Sequence, residues 1–263
     1  MGMRLKQRVA LITGGGTGIG LAITEAYLRE GAQVAIASRN STHLQVGAAA
    51  ARAIGHDLMT VQLDITDSAA VRDAMESIAR HYGRFDILVN NAGLSGRTPM
   101  TDPDDSRWLA ILATNLNGAY FCSKQALRLM KDGEHGRVIN MSSVLGRFGV
   151  AGYAAYCTAK HGMLGFTKAL ALEVAGRGIT VNAICPTWVD TPMARQGIEE
   201  TAAVLGITPD EFRRQAIQAV PIGRMLAPSE VAELAVYVAS PVAAGITGQA
   251  LNICGGATAG AGG

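Results

Sequence analysis

Residues 152 to 162 read GYAAYCTAKHG and hold two phenols and one ammonium. On a helix, residues four apart lie on one face about 6 Å apart in rise, whereas residues seven apart share a face at roughly 10.5 Å. Tyr156 and Lys160 have the first spacing, Tyr153 and Lys160 the second. Only Tyr156 can share a small reaction site with that ammonium. A phenol with an ordinary pKa near ~10 exchanges its proton poorly at neutral pH. A cation at about 4 Å in an effective dielectric of ~20 favours the phenolate by about 4 kcal/mol, which would make the pair a tunable acid. YxxxK alone also describes an ordinary helix face with a snorkelling lysine. Here it has company. Ser143, in INMSSVLG, follows an apolar run, where a hydroxyl can hydrogen-bond a carbonyl oxygen beside the phenol. Asn115, in TNLNG, is polar amid Leu112, Leu116 and Tyr120, and NNAG at 90–93 ends another apolar run.

A second constellation stands near the start, where TGGGTGIG (residues 13–20) follows the apolar run RVALIT. Gly14, Gly18 and Gly20 remove side chains where the backbone must turn and approach an anion. Together with Thr17 and Ile19 they open a helix, whose N-terminus offers free N–H groups and a positive dipole end. Such a loop is either a pyrophosphate cradle or a tight turn, and its place between strand and helix favours the cradle. After the next apolar run, AIASRN puts Ser38 where a dinucleotide site usually offers a carboxylate to the ribose hydroxyls, and Arg39 follows. Without that carboxylate a 2′-phosphate is not repelled, and a guanidinium can pair with it, which favours NADP(H) while leaving NAD(H) open. Asp64, ending VQLD and followed by Ile65, either accepts from an adenine amino group or caps the helix starting near Ser68.

These residues need elements to hold them, and the chain supplies short apolar runs alternating with segments of helical period from RVALIT to GITVNAICP. That alternation predicts an α/β fold, a single-domain doubly wound parallel sheet over residues 1–263 with helices on both faces. Its ligand crevice lies beyond the carboxyl ends of the strands, where the residues above cluster. From about 191 to 223 the pattern weakens into two helical scraps, IEETAAVLG and PDEFRRQAIQAV, flanked by Pro192, Pro209 and Pro221, an insertion placed to act as a substrate lid. The glycine-rich tail from about 257 to 263 lacks apolar anchors and is expected to fray.

Composition narrows the classes. Hydrophobic residues make up 49% and charged residues 17% of 263, enough for a large core and against disorder. A net charge of +2 with scattered Lys and Arg offers no basic stripe for nucleic acid. No apolar run reaches the ~20 residues of a bilayer span, and no secretory leader is read, so the cytoplasm is the expected address. Cys122, Cys157, Cys185 and Cys254 lie far apart without a CxxC pair, which suggests reduced thiols and no metal site.

With TGGGTGIG, NNAG, TNLNG, a serine 13 residues before the tyrosine, and YCTAK in this order, the chain resembles the short-chain dehydrogenase/reductase family over essentially its whole length. The resemblance implies a Rossmann fold and a catalytic tetrad of Asn115, Ser143, Tyr156 and Lys160. Tyr156 would protonate the substrate carbonyl as hydride arrives from the nicotinamide, and Ser143 would orient that oxygen. Lys160 would hold the nicotinamide ribose and lower the phenol's pKa, while the Asn115 main chain would seat a relay water. It also places Asn91, Ala92 and Gly93 at the cofactor, together with Pro186, Val189 and Thr191 of ICPTWVDTP. The family usually continues that proline with glycine; here Thr187 and Trp188 follow. Trp188 and Tyr153 are candidates for the substrate pocket or for local packing.

Within the family, VPIGRMLAPSEVAELAVYVASP and GQALNICGG are most similar to aromatic polyketide ketoreductases and 3-oxoacyl reductases, although LSGRTPM follows NNAG where the polyketide enzymes carry a proline-glycine-glycine patch. The implied activity is NADPH-dependent reduction of a ketone, such as a carrier- or CoA-bound 3-oxoacyl thioester, a polyketide or a cyclic ketone, by a homotetramer. The alternatives are an NAD-dependent secondary alcohol dehydrogenase and a non-catalytic dinucleotide sensor.

Overall fold

Seven parallel strands, β1 (Val9–Thr13), β2 (Gln33–Ser38), β3 (Met59–Gln62), β4 (Ile87–Asn90), β5 (Gly136–Met141), β6 (Ile179–Pro186) and β7 (Ala250–Ile253), lie in the order β3-β2-β1-β4-β5-β6-β7. The computed structural model describes residues 3–260. Every residue of β1, β4, β5 and β6 is buried, because helices cover both faces, so β1 and β4 read as near-continuous apolar runs rather than alternating ones. Neighbouring residues point to opposite faces. Ile12, Ile36, Ile139 and Ile184 meet Ile23 and Tyr27 of α1 (Gly18–Arg29) and Val231 and Val236 of α9 (Pro228–Ala239). Leu11, Leu88, Val138 and Val181 meet α3 (Ser68–Tyr82), α5 (Gly118–Leu129) and α6 (Ala154–Val174) through Met75, Ile78, Cys122 and Leu170. Each such side chain contributes roughly 1.5–3 kcal/mol on burial.

From β1 the chain winds outward to β2 and β3, and from β4 the other way to β7, so the reversal opens a crevice beyond the carboxyl ends of β1 and β4. A polar chain fastens that half of the sheet to its helices. Asn90 Nδ2 donates to Ser123 Oγ at 2.9 Å and to Asn140 Oδ1 at 2.8 Å, and Asn140 Nδ2 donates to Thr167 Oγ1 at 2.9 Å.

Several local readings are corrected here. Asp67, not Asp64, caps α3, its carboxylate accepting from the N–H groups of Ala69 and Ala70. The scraps between 191 and 223 are full helices, α7 (Pro192–Leu205) and α8 (Pro209–Gln218), started by Thr191 and Thr208 caps with proline in the first turn. The long segment from Ser106 to Met130 is α4 (Ser106–Leu112) and α5 joined by a π-helical turn, Ala113–Asn117. In the tail Thr258 Oγ1 accepts from Asn252 Nδ2 at 2.8 Å, and residues 261–263, part of the segment expected to fray, lie outside the described residues. All four cysteines are free and buried. Among the described residues no helix is long and apolar enough to cross a membrane.

Candidate active site

The loop after β1 is shaped by more glycines than the turn itself demands. Gly14 and Gly18 have φ of +67° and +52°, which disfavours any other residue. A Cβ on Gly20 would collide with the carbonyl oxygen of Gly14, and one on Gly16 with that of His43 in α2 (Ser41–Ala53). The Gly16 contact, which sets α2 directly against the loop, is not legible from spacing. Thr17 opens α1 in an extended conformation and its hydroxyl caps nothing, so the first N–H groups of α1, including those of Ile19 and Gly20, are left to a ligand.

Thr13, which sequence reasoning overlooks, ties this loop to β4. Its hydroxyl accepts from the N–H of Asn91 and of Ala92, each at 3.0 Å, while Asn91 Nδ2 donates to Thr13 O at 2.9 Å. A hydroxyl as the last residue of a central strand is the signal that marks it. Gly93 lies against Asn115, whose Oδ1 would stand 3.2 Å from a Cβ there. At the far rim Ser38 Oγ accepts from Asn40 N, and the Arg39 guanidinium stands 3.6 Å from the Asp64 carboxylate, both half exposed. Asp64 also accepts from the N–H and hydroxyl of Thr66. Burial acts to raise its pKa, but those bonds and the Arg39 charge hold it below the ordinary value. Ile65 is buried against Gly118. On the other side Pro186 ends β6, Val189 bridges Leu226, and Thr191 caps α7 with its methyl over Gly18. The residues expected around a dinucleotide thus line one sheet edge.

The four candidate catalytic residues meet at the carboxyl ends of β4 and β5. Asn115 sits fully buried in the π-helical turn, and its side chain pairs with the backbone of Leu94 in both directions, accepting from N at 2.7 Å and donating to O at 2.8 Å. These two bonds fix the side chain, leaving one amide N–H and one lone pair of it besides the main chain. Ser143 follows β5 and its hydroxyl accepts from Leu145 N at 3.1 Å, leaving its own proton to donate. Ile111, Ala155 and Ala159 pack with Leu94, Trp108, Leu112 and Tyr156 into an apolar wall around the phenol. Trp108 is a second residue that spacing alone does not reveal.

The Tyr156–Lys160 pair departs from expectation. Burial pushes the Tyr156 phenol up to about 12, with the Ser143 hydroxyl pulling the other way. The Lys160 ammonium does not lower it, because it donates to Met141 O at 2.7 Å and lies 5.4 Å from the centroid of the tyrosine ring. Lys160 is itself buried, and desolvation pushes it down to about 8. Tyr153 points elsewhere: its hydroxyl is 2.9 Å from Thr201 Oγ1 of α7, and the Arg97 guanidinium lies 5.9 Å over its ring. Trp188 is half-buried with its ring edge-on to Phe212 of α8, centroids 6.3 Å apart. Among the described residues no group of three or more His, Cys, Asp or Glu is placed to hold a metal ion.

A family model described as enoyl-(acyl carrier protein) reductase matches residues 14–258. The ketoacyl reductase assigned to the monensin polyketide synthase of Streptomyces virginiae is 41% identical over 95% of this chain and 96% of its own. A 3-oxoacyl-(acyl-carrier-protein) reductase of Escherichia coli is 37% identical over 97% and 98%. The crystal structure of a variant of the actinorhodin polyketide ketoreductase with NADPH superposes with a TM-score of 0.91 at 38% identity, covering 98% of this chain and 99% of that one. Sheet order, glycine loop and the gathered Asn, Ser, Tyr and Lys agree with these matches, and the chain belongs to the short-chain dehydrogenase/reductase family of NAD(P)-dependent oxidoreductases.

Proposed function

We propose that the protein is an NADPH-dependent reductase that converts a ketone to a secondary alcohol. The observation that carries the reading is the Tyr156 phenol, protonated in the neutral range, with the Ser143 hydroxyl beside it and an apolar wall around it, so that a carbonyl oxygen brought there meets a proton donor. The glycine loop, whose tight backbone would be broken by a Cβ at position 16 or 20, and the uncapped start of α1 suit a pyrophosphate. Bound there, a nicotinamide cofactor supplies hydride to the carbonyl carbon. Tyr156 gives its proton to the carbonyl oxygen, and Ser143 donates a second hydrogen bond to the same atom. Lys160, with two N–H donors beyond the one given to Met141, holds ribose hydroxyls of the bound cofactor. The Asn115 main chain seats the water that restores the proton. The named activities of the relatives support a 3-oxoacyl thioester, a polyketide or a cyclic ketone as substrate. Assays of a panel of such ketones and their alcohols with both cofactors test the reading, which fails if no ketone is reduced. A homotetramer would cover the exposed Tyr120, Leu172, Tyr237 and Val242.

Arg39 supports the choice of cofactor. Its pairing with Asp64 is long and exposed, so it holds the guanidinium weakly against a phosphate. NADPH is expected to give the higher kcat/KM. Arg39→Ala should raise the KM for NADPH by roughly 10- to 100-fold, the value of a charge-assisted hydrogen bond, with kcat little changed because the contact is the same in ground and transition states. Equal use of NADH and NADPH by the unmodified protein would count against this.

The segment from 191 to 223 is proposed as the substrate lid. Trp188 supports it, because this side chain leaves the end of β6 and meets α8 at Phe212. Trp188→Ala should change the ratio of kcat/KM between bulky and small ketones by about tenfold, the scale of a lost apolar wall. An unchanged ratio would remove Trp188 from the pocket.

A further inference from the structure

Arg97 lies in the loop that leaves β4, four residues past Gly93. The loop is pinned at both ends to candidate catalytic elements. Leu94 is clamped by Asn115, while Thr98 N donates to Gly152 O at 2.7 Å and Thr98 Oγ1 accepts from Ala155 N at 3.0 Å. The guanidinium is thereby delivered to the start of α6. It fills the space beside Gly152, where a Cβ would stand 2.6 Å from Nη2, and covers the ring of Tyr153. Gly152 has φ of +80°, so both the backbone and the crowding demand glycine there. Ala155, whose N–H the neighbouring Thr98 receives, directly precedes Tyr156 in the first turn of α6. The guanidinium is therefore held at the start of the helix that carries Tyr156.

Arg107, which reaches Gly96 and the Arg97 carbonyl, pairs with Glu200 at 2.8 Å, whereas Arg97 has no such partner among the described residues. Glu200 is held through Oε1 by Arg107 and Gln196, while its Oε2 is buried and makes no hydrogen bond, to Arg97 or to any other described residue. The half-buried Arg97 guanidinium meets only an aromatic face and has no carboxylate or hydrogen-bond acceptor among the described residues. Five N–H donors in a planar fork, partly withdrawn from water and without an acceptor, are best satisfied by two oxygens of one anionic group.

We infer that Arg97 is a specificity-determining residue that receives an oxyanion carried by the ketone substrate, either a carboxylate on a short keto acid or a phosphate on a carrier arm. This rests on the reductase reading and narrows its substrate class. Two pairs, each an anionic ketone and a neutral counterpart, test it with NADPH: acetoacetate against methyl acetoacetate, and acetoacetyl-coenzyme A against the acetoacetyl thioester of N-acetylcysteamine. The unmodified protein should prefer the anionic member of one pair, and the preference should fall as salt screens the contact. In Arg97→Gln the anionic-to-neutral ratio of kcat/KM should drop by about 10- to 100-fold, while Arg97→Lys keeps part of it. An effect confined to the first pair assigns the oxyanion to the keto acid, and one confined to the second assigns it to the carrier arm. Equal losses for charged and neutral members, or no preference in the unmodified protein, would overturn the assignment. The thermal shift given by each anionic compound, compared between the unmodified protein and Arg97→Gln, judges Arg97 separately. If no ketone is reduced but the shift is lost in the variant, the reductase reading falls and the anion site stands.

Discussion

Tyr156→Phe is expected to lower turnover by roughly 10²–10⁴, the value of a general acid, while NADPH binding survives, because the change removes one exchangeable proton and keeps ring and helix. Tyr153→Phe should behave differently. It removes the hydrogen bond to Thr201 and keeps the ring beneath Arg97, so it should cost about 1 kcal/mol of stability and leave most of the turnover. In the oxidative direction the phenolate is needed, and a phenol held at about 12 makes the rate climb with pH through the alkaline range. An inflection below the ordinary tyrosine value of ~10 would mean that Lys160 acts on the phenol during turnover, and it should then move upward in Lys160→Met. Single-turnover hydride transfer decides between the two tyrosines. A dead Tyr153→Phe beside an active Tyr156→Phe would overturn both the helical-spacing argument and the assignment of the acid.

Lys160→Met should abolish most activity yet raise the melting temperature at pH 7. The ammonium is buried, and desolvation holds its folded-state pKa at about 8, below the ~10.4 of the unfolded chain. Between these values the unfolded state binds more protons, so stability rises with pH over that window, and below about 8 the penalty is fully present. It amounts to roughly 3 kcal/mol. The lost hydrogen bond to Met141 O takes back about 1 kcal/mol, leaving a net gain on the order of 1–2 kcal/mol, or several degrees. The advantage should shrink as the pH approaches 10, where the parent's lysine is neutral in the fold. Thermal unfolding of both proteins at pH 7 and pH 10 gives the measurement, and a variant less stable than its parent at pH 7 would refute the buried-charge account.

What was legible in the sequence is what depends on local period. The four-residue spacing of Tyr156 and Lys160, the strand–helix alternation and the glycines forced into positive φ follow from 3.6 residues per turn and from sterics within one loop. What was not legible depends on backbone brought from elsewhere. Gly16 is required by a carbonyl of α2, Thr13 by two N–H groups beyond β4, and the reach of Lys160 by the carbonyl of Met141 on a neighbouring strand. Asp64 is a cap by residue type alone; Asp67, which directly precedes Ser68, takes that place, and Asp64 spends its carboxylate on the turn built on Thr66. The prolines of α7 and α8 read as interruptions because proline ends helices more visibly than it begins them, although the first turn tolerates it.

The π-helical turn at Ala113–Asn117 carries one residue more than the α-helical turn it replaces. Removing one residue there would restore an even α-helical ladder, a locally cheaper arrangement, and would leave α4 and α5 nearly in phase, so Ile111 and Trp108 would keep their wall beside Tyr156. What would go is the widened turn that carries Asn115 and its pairing with the backbone of Leu94. A one-residue deletion here would therefore cost the site one buried member while sheet and wall stay in place.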